Sequence, residues 1–313
     1  MSSPMIRSAP GRAILLKVTA VGLFTGMAAL VKLVTETVPP GETVFFRSFF
    51  ALPVIVIWIW HRGELRQALV PRNVGGHVWR GLFGTAAMAC NFAGLGLLPL
   101  PEVTAIGYAA PIFTVIFAAV FLGERIRFVR ISAVTLGLIG VMIVASPRLS
   151  LPANEITAGA SLGALLVLAS AVLRALVQIH IRTLVKTEHT AAIVFYFSLT
   201  STVLSLFTLP MGWVMPAPHI LALLCLIGLI GGVAQILVTS AYRFAGASML
   251  APYDYASLIF AIVIGYLFFD EWPTLVMLGG AALVISGNVL VLWRERQLGK
   301  INDRARAVRQ RDG

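Results

Sequence analysis

The chain has 313 residues, of which 58% are hydrophobic and only 12% charged; soluble domains carry roughly 25% charged residues, so water is excluded as the main solvent and an integral membrane protein is indicated. A net charge of +11 would suggest nucleic acid in a soluble protein. Here the cations lie between apolar runs and in the tail "WRERQLGKINDRARAVRQR", where a positive-inside bias and anionic headgroups account for them without any nucleic acid.

The opening "MSSPMIRSAPGR" resembles the start of a signal sequence, but the apolar run that follows, 13–34, exceeds the roughly 7 to 15 residues of a signal peptide. It reads as a retained first helix. Nine further runs follow at 43–60, 78–98, 102–123, 129–146, 157–179, 190–210, 219–241, 247–269 and 273–293, each near the ~20 residues that cross a bilayer as a helix. Connections are short and Pro-marked, as at "VPPGE", "LPLPE" and "MPAPH", and no second soluble domain or low-complexity linker interrupts them. A β-barrel would need alternating segments of about 10 residues, so the fold is all-α. Cys90 and Cys225 both fall inside apolar runs and read as small core residues rather than a disulfide or metal pair.

With the N-terminus inside, all but Lys32, Arg47, Arg148 and Arg174 of the 24 Lys and Arg fall in segments assigned to the inner face. That asymmetry places both termini in the cytoplasm.

Sliding the chain on itself by 147 positions sets Tyr108 on Tyr255, Phe113 on Phe260, Glu124 on Glu271, Gly140 on Gly287, Gly81 on Gly228 and Gly84 on Gly231. The coincident glycines and the shared helix-ending glutamate indicate a duplication. Five spans per copy is an odd number, so the copies enter the membrane from opposite sides and are inverted. The resulting division is a cytoplasmic segment 1–12, a first repeat 13–148, a second repeat 157–293 and a basic tail 294–313.

The stretch "PIFTVIFAAVFLGERI" with the following "RISAVTLGLIGVMIV", and "VFFRSFFALP" in the second span, closely resemble the repeat signature of the drug/metabolite transporter superfamily, in its EamA branch. The second copy departs from it, with "FFDEW" in place of Gly-Glu-Arg. The resemblance implies ten transmembrane helices in two inverted five-helix repeats around a central cavity, and alternating access for small metabolites. Its best-described bacterial members export amino acids, and others carry riboflavin, S-adenosylmethionine or drugs.

Polar side chains inside a bilayer are costly unless they line a cavity or meet partners. In the third span Gly81, Gly84, Met88 and Asn91 share one helical face, and in the eighth Gly228, Gly231, Gln235 and Tyr242 do so. Lining a cavity and close helix packing through small residues are the alternatives. Arg174 and Gln178 lie four apart on the sixth span; the guanidinium calls for a substrate carboxylate, a backbone carbonyl or a distant acid, unless it snorkels to the inner headgroups. The run "APYDYAS" sets Tyr253, Asp254 and Tyr255 inside the ninth span. Asp254 is the single carboxylate assigned well inside a span, with Arg174 as its expected partner, and Tyr108 and Tyr255 are expected to flank the cavity.

Other features read as structural. Arg47 is expected in a rim ion pair with Glu36 or Glu42, and His61, His77, His189 and His219 at solvated span ends, with His180 a candidate for the inner gate. Six tryptophans mark the interfaces. Glu124 and Glu271 oppose the dipole of the helix they end, so they are assigned to repeat structure, binding a neighbouring Arg or loop N–H groups.

The function expected is a bacterial inner-membrane carrier, an exporter of small metabolites, with amino acids as the first substrate class by family resemblance. Arg174 would take a zwitterion's carboxylate and Asp254 its ammonium. The alternatives are a riboflavin-like or S-adenosylmethionine uptake carrier, and a multidrug exporter using Asp254. No metal helix, paired acids, nucleophile dyad or phosphate loop supports an enzyme or ATP-driven pump, and no cofactor is expected. With one intramembrane acid nearly alone, facilitated diffusion or exchange is expected rather than proton coupling. Partners are the solute and the lipid bilayer, with a monomer expected and a dimer left open.

Overall fold

The computed structural model describes residues 10–122, 128–149, 155–184, 187–244, 250–287, 289–290 and 293. Among these there is no strand. The helices are α1 (Pro10–Val34), α2 (Pro40–His61), the short α3 (Leu65–Leu69), α4 (Val74–Leu97), α5 (Leu100–Gly107), α6 (Ala109–Leu122), α7 (Phe128–Leu149), α8 (Glu155–Leu184), α9 (Thr190–Leu206) and α10 (Pro218–Phe244). A 3₁₀ turn, Ala251–Tyr255, runs into α11 (Ala256–Phe269), and α12 spans Leu275–Gly287.

Prolines set several helix starts, because a first-turn residue needs no N–H partner. Pro40 opens α2, Pro99 caps α5, and Pro218 opens α10. Asn73 caps α4, its side-chain oxygen accepting the Gly76 N–H at 2.8 Å. α11 ends at Asp270, whose φ of 54° is left-handed. The Asp270 and Glu271 N–H groups both return to Gly265 O, which turns the Glu271 side chain back toward the bundle.

Five stretches, Gly11–Val34, Pro40–His61, Leu100–Phe117, Gly159–Ile181 and Pro218–Ala241, are long and apolar enough to cross a bilayer, with four shorter apolar helices beside them. The outward surface is apolar too: Phe268 is 72% exposed and Leu275 86%. In water such a surface would be an aggregation liability, and in lipid it costs nothing.

Lipid supplies no hydrophobic drive between helices, so association rests on close packing, often at small residues. α4 lies against α8 and α9, and α1 against α10 and α11; α2 bridges α9 and α10, and α6 packs on α8. At the crossing of α7 and α12 a Cβ on Gly280 would stand 2.7 Å from Gly140 O. Only glycine permits two backbones to meet there.

The structure departs from the sequence expectation in two spans. The fourth is not one helix but α5 and α6, which break at Tyr108. Pro111 has no N–H to offer Gly107 O, so the α-helical bond there cannot form. The ninth begins as a 3₁₀ turn around Pro252 before α11 starts.

Candidate functional site

The break between α5 and α6 borders a cavity of about 150 Å³, lined by Ala28 of α1, Asn91 and Leu95 of α4, Thr104 and Gly107 of α5, Tyr108, Arg174 of α8 and Ser257 of α11, among others. The sequence candidates Asn91, Tyr108 and Arg174 therefore meet in one place. Arg174 Nη2 donates to Gly107 O at 3.3 Å, taking the carbonyl that Pro111 leaves without its helical donor. Arg174 Nε has no hydrogen-bond partner among the described residues.

Tyr108 ties the two broken helices together. Its hydroxyl lies 2.7 Å from Ser257 Oγ and donates to Asp254 O at 3.4 Å and Tyr255 O at 3.3 Å. Its ring meets that of Tyr255 edge-on, with centroids 5.2 Å apart. The two phenols touch each other rather than standing on opposite flanks of the cavity.

Asp254 does not pair with Arg174. Its Oδ1 lies 2.6 Å from Lys17 Nζ; the lysine side chain is 4% exposed and the aspartate 48%. Sequence reasoning had grouped Lys17 with the inner-face cations, although it falls inside the first predicted span, two turns along α1. Its position within an apolar run was the available signal.

Other candidates are more scattered. Gln178 is exposed on α8, where its Oε1 accepts from Thr114 Oγ1 at 3.1 Å. Met88 packs against the apolar core, and Gln235 is half-buried on α10. Tyr253 is half-buried in the 3₁₀ turn. Tyr242 lies on α10, its side chain outside those described, and Glu124 also lies outside the described residues.

Glu271 ties several elements together beside the cavity. One oxygen lies 3.0 Å from Lys32 Nζ and the other accepts the Leu100 N–H at 2.8 Å. Lys32 also donates to Leu95 O and Leu98 O at 3.2 and 2.7 Å. One ion pair thus joins α1, the α4–α5 turn and the end of α11, directly beside the cavity-lining Leu95 and Leu100.

Two further glutamates, Glu42 and Glu188, the second not singled out in the sequence, perform matching tasks. Glu42 of α2 accepts the Val214 N–H ahead of α10 at 3.0 Å. Glu188, ahead of α9, accepts the Arg72 N–H at 2.7 Å and the Asn73 N–H ahead of α4. Glu188 also lies 3.4 Å from His77 Nε2; His77 is 2% exposed, so it is a buried partner and not a solvated span-end residue. His180 Nε2 lies 2.9 Å from Gly76 O.

Arg47 is likewise displaced from its expected place. It is 4% exposed, set inside the bundle away from the rim, while the carboxylate of Glu42 serves the Val214 backbone. Its guanidinium lies over the Phe197 ring of α9 at 5.8 Å, and that of Arg80, from α4, lies over the same ring at 4.0 Å.

Comparison with known proteins places this geometry. The model of the EamA-like transporter family matches twice, over residues 11–146 and 161–293. The chain belongs to the EamA-like transporter family. Several members are similar along most of their length. The pseudopaline exporter CntI of Pseudomonas aeruginosa (strain UCBPP-PA14) is 31% identical, covering 89% of this chain and 93% of its own. The S-adenosylmethionine uptake transporter of Rickettsia felis is 27% identical over 82% and 84%, and the riboflavin transporter of Rhizobium johnstonii 30% identical over 70% of each. A solved crystal structure superposes with a TM-score of 0.63 at 21% identity, covering 90% of this chain and 97% of its own; that likeness concerns the fold alone. As an EamA-like protein the chain is a multi-pass membrane transporter of the drug/metabolite type, and not an enzyme.

Proposed function

We propose that the chain is an inner-membrane exporter of a small polar metabolite of amino-acid type, working by alternating access between two inverted repeats, 13–148 and 157–293. The observation that carries this reading is the cavity where Asn91, Tyr108 and Arg174 converge, with the Lys32–Glu271 ion pair beside it. Arg174 lines it and its Nε has no hydrogen-bond partner among the described residues, a donor that suits a carboxylate.

The inverted arrangement is supported by contacts that occur in matched pairs. α1 packs on α10 as α8 packs on α4; α2 packs on α10 as α9 packs on α4; α11 packs on α1 as α6 packs on α8. The Glu42 bond to Val214 is mirrored by the Glu188 bonds to Arg72 and Asn73. An exchange of equivalent contacts between halves is what a twofold axis generates, and an odd number of spans per half supports setting that axis in the membrane plane. The charge asymmetry supports both termini in the cytoplasm, with the Glu271 end outside.

Export as the direction is supported by the pseudopaline exporter among the relatives. Drug-cation export is less well supported, because Asp254 already faces Lys17. With that acid engaged, facilitated diffusion or exchange remains the expected mode. Flux of radiolabelled amino acids in proteoliposomes checks the assignment. Saturable flux that Arg174→Gln lowers by about tenfold or more is expected; transport of riboflavin with no flux of any amino acid overturns the substrate class.

A further inference from the structure

Arg47 and Arg80 come from different helices, α2 and α4, yet bring two positive charges onto the one ring of Phe197. Like charges repel, and an ion taken out of water costs several kcal/mol unless it is paired. Among the described residues no hydrogen-bond acceptor serves Arg47 Nε, Arg80 Nε or Arg80 Nη1, all of them buried. Lys17 and Lys32, by contrast, each have a carboxylate within 3.0 Å.

The surrounding backbone makes room for this pair. A Cβ on Gly84 would stand 2.7 Å from the Phe197 ring, and one on Gly231 would stand 3.0 Å from Met27 Sδ and 3.2 Å from Arg47 Nε. The small residues that the sequence shows on the third and eighth spans therefore open space for guanidiniums as well as for helices. Arg80 shares its face of α4 with Gly84, Asn91 and Leu95, and the last two line the cavity. On α1, Met27 beside Gly231 is followed directly by the cavity-lining Ala28.

We infer that Arg47 and Arg80, converging on the Phe197 ring, form an oxyanion-binding subsite, and that the solute is an organic anion with two or more carboxylates. One carboxylate engages Arg174 and another the Arg47–Arg80 pair. Forked guanidinium donors match the planar carboxylate in both geometry and charge. The inference rests on the transport reading for its physiological meaning, while binding itself is measured independently of flux.

The test is isothermal titration of the purified full chain in detergent with acetate, succinate, citrate and inorganic phosphate. Affinity is expected to rise from acetate to citrate. It should fall by about tenfold or more in Arg47→Gln and Arg80→Gln, recover in part in Arg47→Lys, and stay unchanged in Arg62→Gln, a peripheral partner of Glu64. Citrate bound no more tightly than acetate in the wild type overturns the inference, even if a variant fails to fold. So does citrate binding indifferent to both folded Gln variants, and phosphate binding tighter than citrate overturns the carboxylate assignment. Citrate binding that depends on both arginines, with no flux of any solute, leaves this subsite standing and sinks the transport reading. Amino-acid flux that is full in Arg47→Gln and Arg80→Gln does the reverse.

Discussion

At the scale of single residues, the Lys17–Asp254 pair is lopsided, and the lopsidedness is testable. The ammonium side chain is 4% exposed and the carboxylate 48%. Asp254→Asn removes the charge opposite a buried cation, the costly way to break an ion pair, on the order of 3 kcal/mol. Lys17→Met instead leaves the half-exposed carboxylate and puts an apolar chain in place of the buried ammonium, a change of about 1 kcal/mol or less. Thermal unfolding in detergent should therefore show Asp254→Asn as much the less stable variant, and equal midpoints would contradict the pairing. The sequence made Asp254 conspicuous but named the wrong cation. Arg174 is the cation deep in an apolar run, whereas Lys17 lies close to the N-terminus and counts by chain position as a headgroup-facing charge. Arg80 was passed over for the same reason. Long cationic side chains travel far from their Cα atoms, so helix position alone does not say which way they turn.

At the scale of helices, apolar length and proline punctuation made nearly every span legible, because a bilayer imposes both. What they could not show was where a span breaks. α5 and α6 part at Tyr108 since Pro111 removes one hydrogen bond, and the cost is met by Arg174 on another helix. That partner lies two spans further along the chain, on the sixth. The crossing of α7 and α12 offers a sharp packing test. A side chain at Gly280 would meet backbone atoms, Gly140 O at 2.7 Å and Val144 N at 2.9 Å, whereas a Cβ on the adjacent Gly279 meets nothing within 4 Å. Gly280→Leu should lose about 3 kcal/mol or more, or fail to yield monodisperse protein, while Gly279→Leu should behave as wild type in size-exclusion and thermal melts. Equal behaviour of the two would show that the helices do not cross at that point.

At the scale of the whole molecule, the duplicated pattern of the sequence and the paired contacts of the bundle support the proposed mechanism, in which the halves would rock about a shared cavity. The identity of the lining residues was partly readable, since Asn91, Tyr108 and Arg174 are polar groups in apolar runs. The ion pair of Lys32 and Glu271 was not, because it joins residues far apart in the chain through a turn that only the fold brings near. Alternating access requires that pair to part. The most direct measurement replaces Lys32 and Glu271 with cysteines in a background lacking Cys90 and Cys225, and bridges them with a short, reducible thiol cross-linker in proteoliposomes. Solute flux should stop on cross-linking and return on reduction. Flux that continues undiminished through the cross-linked protein would contradict the account.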